Sequence, residues 1–139
     1  MEKESLLESL KRKSKKAFRI FIASLIVLAI GVFLFYNYAV YDEGVRAGIV
    51  VRISKKGVIF KTYEGQLNLE SFGALRGTNP IASTFDFSVS GSDESVIKDL
   101  EAASLSGERV NLKYIKRYGS FPWRGETQYF IIQVERSTK

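Results

Sequence analysis

The sequence predicts one N-terminal transmembrane helix followed by a small β-rich α+β domain, with strands and helix in the order β-β-β-β-α-β-β. Three patterns carry this expectation. Ile20 to Tyr41 is an uninterrupted run without a single charge, IFIASLIVLAIGVFLFYNYAVY. From Arg46 onward the apolar residues recur mostly every second position, the period of a strand. One later segment, Ser92 to Gly107, returns to helical spacing with a start and a stop signal.

The apolar run matches a membrane in length, since about 20 helical residues cross the roughly 30 Å hydrocarbon core. Phe35, Tyr36, Tyr38 and Tyr41 gather at one end, where aromatic rings settle at headgroup level. The other end abuts Lys11, Arg12, Lys13, Lys15, Lys16 and Arg19. A cleaved signal peptide has a shorter apolar core, about 7–15 residues, and small residues at its cleavage site. Asn37-Tyr38-Ala39 fits that site poorly, so the run reads as an uncleaved signal anchor. Ser24 and Gly31 lie seven residues apart on nearly one helix face and are the candidate helix-packing positions.

Charge gives the run a direction. Before it, seven Lys/Arg against three Glu leave +4; after it, fourteen Lys/Arg against twelve Asp/Glu leave +2, together the +6 of the chain. Basic residues are retained on the cytoplasmic side, which places residues 1–19 in the cytoplasm, 20–41 in a bacterial inner membrane and 42–139 in the periplasm. The folded part is close to neutral, which argues against a nucleic-acid partner. Residues 2–18 form a basic, amphipathic lead-in, with Leu6, Leu7, Leu10, Ala17 and Phe18 near one face. It either lies in the inner interface or prolongs the span.

Beyond the membrane the elements follow in order. Asp42-Glu43-Gly44 reads as a turn and Arg46 as the start of the first strand, which alternates through Ser54. Ser54-Lys55-Lys56-Gly57 reads as a hairpin tip, Val58 to Tyr63 as a second strand, Glu64-Gly65 as a second turn and Gln66 to Phe72 as a third strand. Residues 73–83, with two glycines and Asn79-Pro80, read as a surface loop. Thr84 to Val89 is the fourth strand, with Phe85, Phe87 and Val89 on one face. The helix follows, with Ser92 or Asp93 as N-cap, an apolar face of Val96, Ile97, Leu100, Ala103 and Leu105, and Gly107 as its stop. Arg109 to Lys116 and Thr127 to Glu135 are the last strands, joined by the loop RYGSFPWRGE. A meander, one helix and a final pair of strands suggest a barrel of the oligosaccharide/oligonucleotide-binding (OB) type, with a generic α+β sheet as the alternative. An OB barrel has three strands before its helix, so here one strand too many precedes it, unless the third and fourth runs are one interrupted strand.

Chemistry is sparsely equipped. The chain has no Cys and no His, which removes disulfides, thiol nucleophiles, the commonest general base and the commonest metal ligand. Neither GxGxxG nor GxxxxGK[ST] occurs. Glu64, Glu70, Asp86 and Asp93 are carboxylates without a spacing that singles out a pair. The expectation is therefore not an enzyme, with no catalytic residue, no metal and no cofactor. The candidate contact residues for a partner or ligand are Phe121, Trp123 and Arg124 in the SFPWRGE loop, and Lys55 and Lys56 at the basic hairpin tip. The bland reading of the loop is that Phe121 and Trp123 plug one end of the sheet, and that of the tip is simple solvation. Tyr114, Lys116, Arg117 and Tyr118 interleave basic and aromatic residues as single-strand nucleic-acid binders do, a reading that the periplasmic placement disfavours.

YDEGVRAGIVVRISKKGVIFKTYEGQLNL (41–69) and SFPWRGETQYFII (120–132) resemble a family of small single-pass membrane proteins found mainly in the Bacteroidetes. Some of its members are labelled 6-phosphogluconate dehydrogenase, which the absence of a dinucleotide fingerprint contradicts. The resemblance implies a single-pass protein of the cell envelope and carries over no catalytic residue. Two functions are open. One is a non-enzymatic accessory subunit of an inner-membrane complex, its partners the lipid bilayer and a larger membrane protein. The other is a tethered binding module for a periplasmic glycan, peptidoglycan fragment or exported polypeptide.

Overall fold

Residues 1–69 and 83–136 are described by a computed structural model, and the chain divides into two compact units, Met1–Tyr36 and Asn37–Lys139. The first unit consists of helix α1 (Glu2–Tyr38), which begins in the basic lead-in and runs without a break through the apolar segment, its last two residues belonging to the second unit. At 1.5 Å per residue it is about 55 Å long, and it is long and apolar enough to cross a membrane. None of its side chains is buried. Ser5, Ser9, Ser14 and Ser24 each donate to the carbonyl three residues back, so their hydroxyls are satisfied within the helix.

Among the described residues the second unit is a five-stranded mixed sheet with one helix: β1 (Val40–Lys56), β2 (Thr62–Leu69), β3 (Ser83–Val89), α2 (Glu94–Ser106), β4 (Arg109–Arg117) and β5 (Tyr129–Arg136). β1 is long because it serves two partners. Its first half pairs antiparallel with β4, from Val40↔Arg117 to Ile49↔Arg109, and its second half pairs with β2, from Ile49↔Asn68 to Lys56↔Thr62. Register shifts at Val40/Asp42 and Val50/Arg52 let it curl between them. β2 pairs with β3, β4 pairs with β5, and a short parallel seam at Ser88↔Phe130 joins β3 to β5. Every strand thus has two neighbours, in the order β1-β2-β3-β5-β4 and back to β1.

Four expectations are corrected. The helix ends at Tyr38, so Val40 and Tyr41 are not part of it, and Asp42-Glu43-Gly44 is strand, not turn. The ladder to β4 satisfies these backbone groups, and Gly44 lies against the Tyr114 ring, where a Cβ would come within 2.9 Å of the phenol oxygen. Glu64-Gly65 is also strand: the end of the second expected strand and the described part of the third are one, β2, so three strands precede the helix among the described residues. Gly65 is there because the Phe87 ring packs onto its backbone, leaving no room for a Cβ. Finally, Val58 to Lys61 belong to no strand and form the connection from β1 to β2. The expected loop at 73–83 falls almost wholly outside the described residues.

The core lies inside the closed sheet and under α2. Val50, Leu67, Phe87, Val89, Val110, Leu112 and Ile131 come from all five strands, and Val96, Ile97, Leu100 and Ala103 from α2. Leu105, assigned to the same helix face, is 90% exposed: it follows Ala103 by only two residues and points away from the packed stripe. Asp93 takes the N-cap position of α2 without a side-chain bond, and Gly107 ends the helix at φ 67°, its N–H donating to the Ala103 carbonyl at 3.0 Å. Phe85, Tyr114 and Tyr129 form a triangle of rings 5.0–5.7 Å apart. The Arg46 guanidinium lies over them, 4.3 Å from the Phe85 centroid.

Candidate functional site

The feature with the most exposed chemistry is built from two loops and the first residues of the β unit. The β1–β2 loop turns at Gly57, whose φ of 112° and close approach to the Phe60 carbonyl exclude any side chain. The turn lifts three consecutive apolar residues out of the sheet. Val58 is 96%, Ile59 85% and Phe60 52% exposed. In a strand they would have gained a ladder and a buried face; here they have neither.

Beside them runs the β4–β5 loop, residues 118–128. It is closed on itself by the Phe121 carbonyl, which accepts from Arg124 N (2.9 Å) and Gly125 N (3.1 Å). Pro122 fixes its backbone at the apex. Phe121 and Trp123 stack with ring centroids 4.7 Å apart, and Phe60 meets Trp123 edge-on at 6.4 Å. The two loops enclose an open cleft of about 520 Å³, lined by Val58, Phe60, Thr62, Ser120, Pro122 and Glu126 among others.

What holds the second loop is a buried polar relay. Glu64, 4% exposed on β2, accepts from Ser88 Oγ (2.6 Å) with one carboxylate oxygen and from Glu126 N (3.0 Å) with the other. Ser88, fully buried on β3, accepts from Thr127 N at 3.1 Å and lies 2.9 Å from the Thr127 hydroxyl. Gly125 packs on Ser88 so closely that a Cβ would fall 2.6 Å from Ser88 Cβ. The relay spans three segments distant in sequence and gives the carboxylate the paired hydrogen bonds that its burial requires. Both Glu64 oxygens are engaged, which makes it a positioning group for the loop. On the rim, Lys56 Nζ pairs with Glu126 at 3.3 Å.

The other edge of the loop reaches the start of the domain. Arg117 Nη1 donates to the carbonyls of Asn37 (3.0 Å) and Tyr38 (3.4 Å); Arg124 Nη1 also donates to the Asn37 carbonyl, and its guanidinium lies 5.2 Å over the Tyr38 ring. These carbonyls end α1, where acceptors have no partner within the helix and attract cations. Burial lowers the Arg117 pKa from its ordinary value and the nearby Arg124 pushes the same way, while Tyr38 opposes. A guanidinium stays protonated throughout the physiological range.

Of the contact residues expected from sequence, Phe121, Trp123, Arg124 and Lys56 come together here. Lys55 turns aside, its Nζ 5.3 Å from the Tyr63 ring centroid. Phe121 and Trp123 do not plug the sheet: Trp123 is 43% exposed, and the core is filled by other side chains. Ser24 and Gly31 lie in α1, with nothing within 4 Å of a Cβ placed on Gly31. Of the basic-aromatic series Tyr114 is core, while Lys116, Arg117 and Tyr118 line a shallow pocket with Tyr41, in which Lys116 lies over the Tyr41 ring and Arg117 binds the Asn37 and Tyr38 carbonyls. Asp86 bonds Gln66 Nε2 at 3.0 Å, far in role from Glu64; Glu70 is outside the described residues. Among the described residues no three His, Cys, Asp or Glu are grouped to hold a metal.

Sequence reasoning missed Val58-Ile59-Phe60, Glu64 and Ser88. The first carried a signal, three apolar residues in a row after a Gly where alternation was expected. Glu64 and Ser88 carried none, because their role depends on each other and on Glu126. Comparison with protein-family models, with curated proteins and with solved structures returns no match to this chain.

Proposed function

We propose that this chain is a single-pass protein of a bacterial inner membrane, its C-terminal domain periplasmic, acting as a non-enzymatic accessory subunit of a larger membrane complex. One observation carries the reading: Ala39 alone separates α1 from β1. One residue spans at most about 3.6 Å, so a domain tethered this way has no reach and serves a partner at the membrane surface. The basic residues before the apolar segment support the orientation. The strand order β1-β2-β3-β5-β4, with one helix between β3 and β4, supports an OB-like barrel for the domain. Cross-linking in native membranes, followed by pull-down on a C-terminal tag and mass spectrometry, is expected to recover a stoichiometric set of membrane proteins. Recovery of this chain alone would refute the subunit reading.

The cleft between the two loops favours a second reading, a tethered binding module for a glycan, peptidoglycan fragment or exported polypeptide. It expects Trp123→Ala or Arg124→Ala to weaken binding by roughly 1–2 kcal/mol or more, as anchor residues do. Unchanged affinity in both variants would remove the cleft as the site.

A further inference from the structure

Val58, Ile59 and Phe60 form an apolar tip that the sheet does not use, and its place in the fold identifies what covers it. Trp123 extends the tip through its edge contact with Phe60. The next residue in the chain, Arg124, holds the Asn37 carbonyl and stacks on Tyr38, the residues where α1 ends and the β unit begins. The two ends of the curled strand β1 therefore flank one loop: Lys56 reaches it through Glu126, and the residues just before Val40 reach it through Arg124 and Arg117. The apolar tip and Asn37 and Tyr38, the first residues of the β unit, are thus joined through one loop.

The composition around the tip selects among occupants. Lys61, the next residue after Phe60, is exposed, Lys56 is on the rim, and Arg124 follows Trp123. Apolar side chains with Trp at the boundary and Lys around them are the composition of segments that lie in the membrane interface, where the rings sit at headgroup depth and ammonium groups meet phosphate.

We propose that the Val58-Ile59-Phe60 tip and Trp123 insert into the headgroup–acyl boundary of the phospholipid bilayer. The inference rests on the reading of α1 as a membrane span, and deepens it: the bilayer becomes a second, lateral contact of the domain, which restrains its rotation about the tether.

Trp123 is the chain's single tryptophan, so its emission reports on this tip alone. The full-length protein is reconstituted into vesicles of phosphatidylcholine and phosphatidylglycerol, with acyl chains either normal or brominated close to the headgroup. Expected is a loss of Trp123 emission in the brominated bilayer relative to the normal one, and recovery of that emission in Ile59→Asp and Val58→Asp. Both positions are exposed, and circular dichroism verifies that each variant keeps its fold. Equal emission in the two lipids overturns the inference, whether Trp123 is open to aqueous acrylamide or shielded by a second copy. Quenching that neither Asp variant reduces overturns it too, because proximity without insertion then suffices. Alkaline extraction of the same vesicles separates the two readings. Protein retained after extraction with Trp123 unquenched sinks the tip inference alone, and protein released sinks the span together with it.

Discussion

Replacing Glu64 tests whether the buried relay, and not the loop's own sequence, positions the SFPWRGE loop. Its carboxylate accepts two hydrogen bonds, from Ser88 Oγ at 2.6 Å and Glu126 N at 3.0 Å, and is 4% exposed. Bonds to a charged acceptor contribute ~1.5–3 kcal/mol each, about 3–6 kcal/mol for the pair. Removing the carboxylate also relieves the several kcal/mol spent on its desolvation, but leaves a buried hydroxyl and a backbone N–H without an acceptor. The net loss for Glu64→Ala comes to about 2–4 kcal/mol. Glu64→Gln keeps the shape and one acceptor oxygen, so its loss is smaller, about 1–2 kcal/mol. The assay is a urea titration of the full chain in detergent micelles, followed by far-ultraviolet circular dichroism for the sheet and by Trp123 emission for the loop. In Glu64→Ala the emission transition is expected to precede the dichroism transition, since the loop loses its anchor while the strands keep their ladders. Coincident transitions, displaced by less than about 0.5 kcal/mol, the range of an inconsequential surface change, would refute the reasoning.

Gly125→Ala places a methyl 2.6 Å from Ser88 Cβ; a loss of about 1–3 kcal/mol is expected from overpacking, read in the same urea titration. Leu100→Ala empties a fully buried position of α2 and is expected to cost about 2–5 kcal/mol, whereas Leu105→Ser on the same helix changes stability by less than about 0.5 kcal/mol. Arg46→Ala removes the cation from the faces of Phe85, Tyr114 and Tyr129, with an expected loss of about 1–2 kcal/mol that Arg46→Lys recovers in part. Lys56→Gln breaks a half-exposed pair with Glu126 and is expected to shift the midpoint by no more than about 1 kcal/mol, with a smaller shift at high salt.

Patterns within one segment were legible wherever burial followed a simple period. Phe85, Phe87 and Val89 alternate and all face the core, and Val96, Ile97, Leu100 and Ala103 recur at helical spacing and do the same. Gly107 stops α2 because its left-handed φ suits glycine, a local requirement that a sequence states openly. Signals of the same type misled at Glu64-Gly65 and at Asp42-Glu43-Gly44. An acid beside a glycine is turn chemistry in isolation, but at Glu64-Gly65 the glycine makes room for the Phe87 ring and the acid bonds Ser88 and Glu126. For the candidate site, the sequence marked Trp123, Arg124 and Lys56 as side chains suited to contact. It could not show that Val58-Ile59-Phe60 would join them.

By itself, then, the sequence determined the long apolar helix with basic residues before it, the strand-rich domain after it and the place of its one packed helix. Each of these rests on the spacing of neighbouring residues along a single element. The tertiary structure alone decided how far β1 extends, that two expected strands are one, and which loops meet. Those outcomes rest on pairings between distant segments: the ladder of Val40–Ile49 with β4, the Phe87 ring on Gly65, the Glu64 carboxylate between Ser88 and Glu126, and Arg117 and Arg124 on the Asn37 carbonyl. A backbone group or a carboxylate must find its partner somewhere, and only the closed sheet says where.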